Sequence, residues 1–288
     1  MAEQFGRSAW GNLYTSDLRR VVRRLGLTKF WGLAGMIRSA YWRRRYRKVG
    51  AGTVKIDLGG RSASFTFSSA SELERAMRLD GERALLARML RETRPGDVVF
   101  DVGANLGFYT VLLAKAVGPI GTVVAFEPEL GVLERMKENA EINGVANIRG
   151  FNVALGETEA TVPLEVDSRL GSGLHIMAGG DHSVRAGFAT RDVRQVRGDA
   201  YVAAQALPVP ALIKVDVEGM EREVLRGLAR TLADSRCRLV LCEIHFGLLD
   251  RMGKPTASKD IEGLLSHSGF NRIEWPDRSH ILALKLAG

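Results

Sequence analysis

The chain has 288 residues, 45% of them hydrophobic and 26% charged, a size and composition that fit one large α/β domain plus an appendage better than two equal domains. Its formal charge of +8 belongs to one end: the first 50 residues carry twelve Lys or Arg against two acids, hence +10, and the remainder carries −2. Whole-chain basicity therefore says nothing about nucleic-acid binding by the fold itself.

The start, MAEQFGRSAWGNLY, lacks a basic segment followed by an apolar one, and the early uncharged apolar run at residues 30–37 is only eight residues long. Neither a signal peptide nor a membrane span is expected. The two cysteines, Cys237 and Cys242, lie in and beside one strand without metal-ligand spacing, which points to a reduced, cytoplasmic setting.

In chain order, residues 1–50 form a basic arm. DLRRVVRRLGL and MIRSAYWRRRYRK mix arginines with apolar residues and contain no proline, so one or two basic amphipathic helices are predicted. Three readings stay open for it: a solvated charge run, a membrane-surface helix with Trp31, Trp42 and Tyr46 at the headgroups of an anionic membrane, or a nucleic-acid patch. Residues 51–94 form a lead-in, with a hairpin turning at Gly59 and Gly60 and then a helical stretch, ELERAMRLDGERALLARMLRET, ended by Pro95 and Gly96.

From residue 95 to 288 apolar strands alternate with helices: DVVFDV, LGFYTVLLAKAV, TVVAFEP, the helix LGVLERMKENAEIN stopped by Gly144, and a strand over residues 148–155. A long Gly-rich and polar insertion follows. The alternation resumes with ALIKVDV, the helix GMEREVLRGLARTL, RLVLCEIH, and a last helix near residues 260–268. RIEW and HILALKL then flank a turn at residues 276–278. Repeated β-α-β units make a parallel sheet, and the terminal hairpin closes it with antiparallel strands.

Residues 101–107, DVGANLG, stand where a strand hands over to a helix, the crevice in which open α/β sheets bind ligands. A pyrophosphate loop takes GxGxxG with no acid before its first glycine, because its ligand is anionic; here Asp101 precedes Gly103 and Asn105 follows it. An acid there suits a ligand with a positive end. S-adenosylmethionine, which carries an ammonium and a sulfonium, is such a ligand. Asp101 is expected to hold the cationic side directly or through water, with Gly103, Asn105, Gly107, Tyr109 and Thr110 completing that end. Glu127, just before Pro128 at the end of the next strand, can accept from both ribose hydroxyls. Asn152 can pair with the adenine edge, with Val153, Ala154 and Leu155 as an apolar wall. The plainer alternative for the loop alone is a tight turn capped by Asn105.

DVGANLGFYT, AFEPE with NAEING behind it, NVALGE, IKVDVEGMEREVLRG and VLCEIH, in this order, resemble the FkbM family of methyltransferases over about residues 95–288. The resemblance implies a class I methyltransferase fold: a Rossmann-like α/β architecture with a seven-stranded, mostly parallel sheet, a C-terminal antiparallel hairpin and helices on both faces. It implies methyl transfer from S-adenosylmethionine, most often to a hydroxyl of a glycan, a lipid-linked sugar or a secondary metabolite. Residues 169–187, with His182, depart from the family pattern.

Lys214, Asp216 and Glu218 alternate at the end of the fourth strand and so share a face, as do Glu243 and His245 at the end of the fifth. These five are the candidate catalytic residues, with His245 or Asp216 as the base that removes the acceptor's proton and with in-line positioning supplying much of the remaining rate. Two alternatives accompany this reading. Asp216, Glu243 and His245 can hold a divalent cation that acidifies the acceptor, or Lys214 pairs with a carboxylate while Asp216 or Glu218 caps the helix near Gly219. His175, His182, His267 and His280 are read as surface or satisfied polar residues without a role. An RNA or protein methyltransferase using the arm, and a catalytically silent cofactor-binding module, are the competing functions. An Asn/Asp-Pro-Pro-aromatic motif, usual for amino-group methylation of bases, is absent at the fourth strand.

Overall fold

The structure is a computed structural model that describes residues 28–79, 82–167, 175–177 and 188–286. The chain divides into two compact units, Met1–Gly50 and Ala51–Gly288. In the first, helix α1 spans Thr28–Val49; the part of the predicted arm before it lies outside the described residues. The basic residues of α1 gather at its C-terminal end, RRRYRK. Among the described residues no helix is long and apolar enough to cross a membrane.

The second unit opens with the hairpin β1 (Gly52–Leu58) and β2 (Arg61–Phe67). Gly59 and Gly60 both have positive φ, at 58° and 73°, the backbone that a two-residue hairpin turn matching strand twist demands. The helical stretch expected next is two helices, α2 (Ala70–Arg78) and α3 (Arg83–Glu92), because Leu79 turns left-handed at φ 45° and ends the first. Two asparagines behind AFEPE fasten β2 to the body of the fold. Asn139 accepts the Thr66 amide hydrogen at 2.9 Å and donates to the Leu106 carbonyl at 2.8 Å, while Asn143 exchanges hydrogen bonds with both backbone groups of Ser64.

The body alternates as β3 (Val98–Val102), α4 (Phe108–Val117), β4 (Thr122–Phe126), α5 (Leu130–Ile142) and β5 (Ile148–Phe151). The insertion then supplies β6 (Ala154–Gly156), β7 (Ala160–Asp167), β8 (His175–Met177), β9 (Phe188–Arg197) and α6 (Gly198–Ala204). After it come β10 (Leu212–Val215), α7 (Glu221–Gly227), α8 (Ala229–Ala233), β11 (Leu239–Glu243), α9 (Phe246–Arg251), α10 (Ala257–His267), β12 (Arg272–Glu274) and β13 (His280–Leu284).

The main sheet has seven strands in the order β12-β13-β11-β10-β3-β4-β5. The five from β11 to β5 run parallel, and β13 runs antiparallel between β11 and β12. Side chains alternate between two cores. Val99, Leu212, Leu239, Leu241 and Leu282 face α3, α4 and the lead-in hairpin; Phe100, Ile213, Val240, Cys242 and Ile281 face α7, α8 and α10. Helices therefore cover both faces, and each fully buried Leu, Ile or Phe contributes about 1.5–3 kcal/mol. The chain direction across the sheet reverses between β3 and β10, whose carboxyl ends open the crevice.

The single strand expected over residues 148–155 is two. β5 ends at Phe151, and after Asn152 the chain enters β6 in a separate four-stranded sheet ordered β6-β9-β7-β8, built from the insertion.

Candidate active site

Three strand ends and one small sheet line an open cleft. Gly103, Asn105, Glu127, Pro128, Val153, Ala154, Asp216 and Glu218 line it, as expected from the motifs. Arg75 of α2, Leu164 of β7, Gln195 of β9 and Met220 join them from elements that no motif pointed to. Leu155, Phe126 and Val102 add apolar wall.

The loop after β3 is shaped by close approach. Gly103 has φ 79°, and a Cβ there would stand 1.9 Å from the Asp216 carbonyl oxygen, so only glycine lets the loop touch the end of β10. Asn105 is left-handed at φ 52°, a conformation its short polar side chain tolerates by accepting the Leu106 amide hydrogen at 2.8 Å. Gly107 faces Met136 of α5 in the same tight manner.

Asp101 lies beneath this loop instead of on its wall. It is fully buried, takes a 2.5 Å hydrogen bond from the Thr110 hydroxyl and stands 3.5 Å from the Lys214 ammonium. The positive charge it meets is the chain's own. Lys214 in turn donates to the Gly103 carbonyl at 2.9 Å and sits over the Tyr109 ring at 5.4 Å, so Asp101, Tyr109, Thr110 and Lys214 form the floor that holds the loop. Parallel register places Lys214 beside Asp101.

Glu127 is 2% exposed, and its two oxygens accept amide hydrogens from Asn105 at 2.9 Å and Glu129 at 3.1 Å. Glu127 also lines the cleft. Asn152 has a different job from the one expected. Its amide nitrogen donates to the Glu127 and Pro128 carbonyls at 3.1 and 2.8 Å, bracing the end of β4.

Asp101, Lys214, Asp216, Glu243 and His280 follow the same alternation on adjacent strands, at the carboxyl end of β3, β10 and β11 and the start of β13. Burial opposes charge on Lys214, yet Asp216 and then Asp101 outweigh it and hold the ammonium well above its usual range. Burial likewise works against an ionised Asp216, but Lys214, then His245 and Arg75, keep its carboxyl below the usual value. The plain reading of Lys214 as an ion-pair partner therefore holds. The capping reading of Asp216 and Glu218 does not, because α7 starts at Glu221 with Met220 at its N-cap and no side-chain cap.

His245 is the centre of the cluster. Its Nδ1 lies 2.6 Å from Glu221 Oε1, and its Nε2 lies 3.3 Å from Glu218, 3.7 Å from Asp216 and 3.8 Å from Glu243. Against the cost of burial, the Glu221 hydrogen bond and then Glu218, Asp216 and Glu243 push its pKa up to about 10. Burial and then Asp216 push Glu243 up to about 9, and burial raises Glu218. Glu218 is also held left-handed at φ 52°, a strained backbone of the kind that persists where surroundings over-determine it.

Two residues that sequence reasoning passed over belong here. Glu221 was hidden as an ordinary acid in a helix's first turn, and His280, read as having no role, places Nε2 3.7 Å from Glu243 while its Nδ1 contacts Asp277 at 3.0 Å. Of the other lone histidines, His267 is exposed with Nδ1 2.6 Å from the Gly263 carbonyl oxygen. His182 and the side chain of His175 lie outside the described residues, as does most of the stretch 169–187. Asp216, Glu243 and His245 offer donor atoms within 4.8 Å of one another, a spacing compatible with the metal alternative.

Residues 101–272 match the model of the methyltransferase FkbM domain, more than half of the chain. The chain belongs to the FkbM methyltransferase family. It is an S-adenosylmethionine-dependent methyltransferase with the seven-stranded class I fold. Among FkbM-type relatives, the hexuronic acid methyltransferase AglP of Haloferax volcanii is 29% identical over 212 residues, 74% of this chain and 79% of its own. The 31-O-demethyl-FK506 methyltransferase FkbM of Streptomyces tacrolimicus is 32% identical over 179 residues, 54% of this chain and 67% of that one. The precorrin-6y C5,15-methyltransferase from Geobacter metallireducens GS-15 superimposes with a TM-score of 0.42 at 15% identity, over 71% of this chain and 89% of that one. At that distance the strand order above, not the superposition, defines the fold.

The cleft fits the cofactor on its own chemistry. Asp216 and Glu218 suit a cationic sulfur, the Glu127 carboxylate suits a ribose diol, and Phe126, Val153, Leu155 and Leu164 suit a flat base.

Proposed function

We propose that this FkbM methyltransferase methylates a hydroxyl oxygen on a glycan, a lipid-linked sugar or a secondary metabolite, with His245 as the base that takes the hydroxyl proton. The observation that carries this reading is the setting of His245, whose Nδ1 is engaged by Glu221 while Nε2 looks toward Asp216 and Glu218, two residues of the cleft wall. An alcohol is too weak an acid to give up its proton unaided, and a base within reach removes it as the oxygen attacks. When bound, S-adenosylmethionine supplies an electrophilic methyl group on a cationic sulfur, which takes back the bonding pair as the methyl leaves.

Charge supports a neutral acceptor. Asp216, which Lys214 holds ionised, stands at the reacting end beside Glu218 and Glu243, and at ~4 Å an ionised carboxylate would repel an anionic oxygen by about 4 kcal/mol at an effective dielectric of about 20. That disfavours a phosphate-rich RNA acceptor and a carboxylate acceptor alike. Of the two relatives, one is named for a demethylated oxygen of FK506, which agrees with a hydroxyl acceptor, and the other for a hexuronic acid, which bears hydroxyl and carboxylate oxygens alike.

The pH profile distinguishes the two candidate bases. Asp216 is held ionised by Lys214 and would act equally across neutral pH. His245, with a pKa of about 10 in the free enzyme, is protonated at neutral pH and becomes a base only as pH rises, so kcat/KM is expected to climb through about pH 7 to 10. Of the carboxylates that hold His245 protonated, Asp216 and Glu218 line the cleft and would face the cationic end of the cofactor. In the ternary complex part of their field is neutralised, and the limb in kcat is expected at lower pH than the limb in kcat/KM. Initial rates on tritiated methyl transfer to a panel of soluble and lipid-linked sugars measure both. A profile flat across this range would give the base role to Asp216.

A second reading is favoured by the spacing of the Asp216, Glu243 and His245 donor atoms. The Lys214 ammonium, 3.3 Å from Asp216, already supplies a counter-charge there. Turnover is expected to be unchanged after exhaustive chelation, whereas a loss restored by Mg²⁺ or Mn²⁺ would assign proton withdrawal to a cation on these three residues.

A further inference from the structure

Glu221 is fully buried, with its Oε1 2.6 Å from His245 Nδ1 and the same oxygen accepting the Gly219 amide hydrogen at 2.8 Å. The groups that face His245 come from three elements: Asp216 and Glu218 after β10, Glu221 at the start of α7, and Glu243 at the end of β11, itself 3.7 Å from His280 of β13. Of these, Glu221 alone contacts Nδ1, and the other three acids contact Nε2.

A neutral imidazole carries one N–H, and the nitrogen that holds it is decided by the partner of the other. An ionised carboxylate can only accept. We propose that Glu221 is the positioning residue for His245: by accepting the Nδ1 proton it leaves the lone pair on Nε2, the nitrogen directed at Asp216 and Glu218 in the cleft wall. This rests on the reading of His245 as the base. As the acceptor's O–H bond breaks, its proton passes to Nε2 and the O–CH₃ bond forms. The imidazolium that results is stabilised by the Glu221 carboxylate behind it, an anion that is in place before the reaction begins. The same arrangement, a carboxylate orienting a histidine whose far nitrogen does the chemistry, is the general form of a base held by a third group.

The competing role for Glu221 is mechanical, because its bond to Gly219 N–H secures a turn where Gly219 has φ 96°. Glu221→Gln separates the two, since the amide oxygen still accepts from Gly219 while the negative charge is gone. The ring ¹⁵N signals of His245 are followed by NMR against pH in the wild-type protein and in Glu221→Gln, beside melting temperature, cofactor affinity by calorimetry and the rate at the alkaline plateau. In the wild type, loss of the His245 proton near pH 10 is expected to leave the Nδ1–H tautomer. In Glu221→Gln that proton is expected to leave at a pH at least about one unit lower, and the plateau rate to fall at least about tenfold, with melting temperature and cofactor affinity unchanged. An unshifted titration, or a wild-type ring protonated on Nε2 when neutral, would overturn the proposal. A shifted titration with an undiminished plateau rate would uphold Glu221 as the residue that sets the tautomer and remove His245 as the base.

Discussion

Replacing His245 with Gln is expected to lower the methyl-transfer rate constant by about 10²–10⁴-fold, the usual contribution of a positioned base, with cofactor affinity changed by less than about threefold. Gln suits the test because its amide can still donate to Glu221, which would otherwise be left as a buried, unpaired charge. The fold has little reason to respond. His245 stands at the start of α9 and supports it through its backbone carbonyl, which accepts from Leu248 and Leu249 whatever the side chain. Single-turnover measurement with saturating cofactor isolates the chemical step, and a loss below about tenfold would mean that the proton goes elsewhere, with Asp216 next in line.

Replacing Glu127 with Ala is expected to weaken cofactor binding by about a hundredfold or more, with turnover at saturation far less affected. Two hydrogen bonds to a charged acceptor are worth about 1.5–3 kcal/mol each, and both ribose hydroxyls would lose their partner at once. The substitution also frees the amide hydrogens of Asn105 and Glu129 that the carboxylate now holds, so the loop after β3 loses a tie to β4 in addition to the ligand contact. Calorimetric titration with S-adenosylmethionine reads the effect, and unchanged affinity would remove the ribose assignment.

What could be read from the residues alone followed from short-range geometry. Alternation on a strand put Lys214 on the same face as Asp216, and Glu243 at the neighbouring strand end, where the structure has them. Gly103 and Gly107, expected beside the cofactor, have left-handed backbone and approach Asp216 and Met136 closely. What escaped depended on register and on distant chain. Nothing in the run around Asp101 says that parallel pairing will set Lys214 beside it, and so its charge was assigned to the cofactor. Asn152 carries the right groups for an adenine edge, but two backbone carbonyls reach its amide first. Glu221 looked like any acid in a first helical turn, and His280 became significant only because antiparallel pairing of β13 with β11 sets it opposite Glu243. Arg75 and Gln195 reach the cleft from the lead-in helix and the inserted sheet, elements whose packing no local pattern encodes. The break at Leu79 escaped for a related reason, since a leucine is seldom the residue that turns a chain left-handed.

The most direct test of hydroxyl methylation is the chemistry of the product. The enzyme is supplied with S-adenosylmethionine labelled in the methyl group and with a uronic-acid-containing glycan, which offers hydroxyl and carboxylate oxygens in one molecule, and the purified product is then treated with mild alkali. An ether survives this treatment and a methyl ester does not. Label retained on the glycan is the expected result; label released quantitatively as methanol would show that a carboxylate had been the acceptor, and would contradict both the neutral acceptor and the need for His245 as its base.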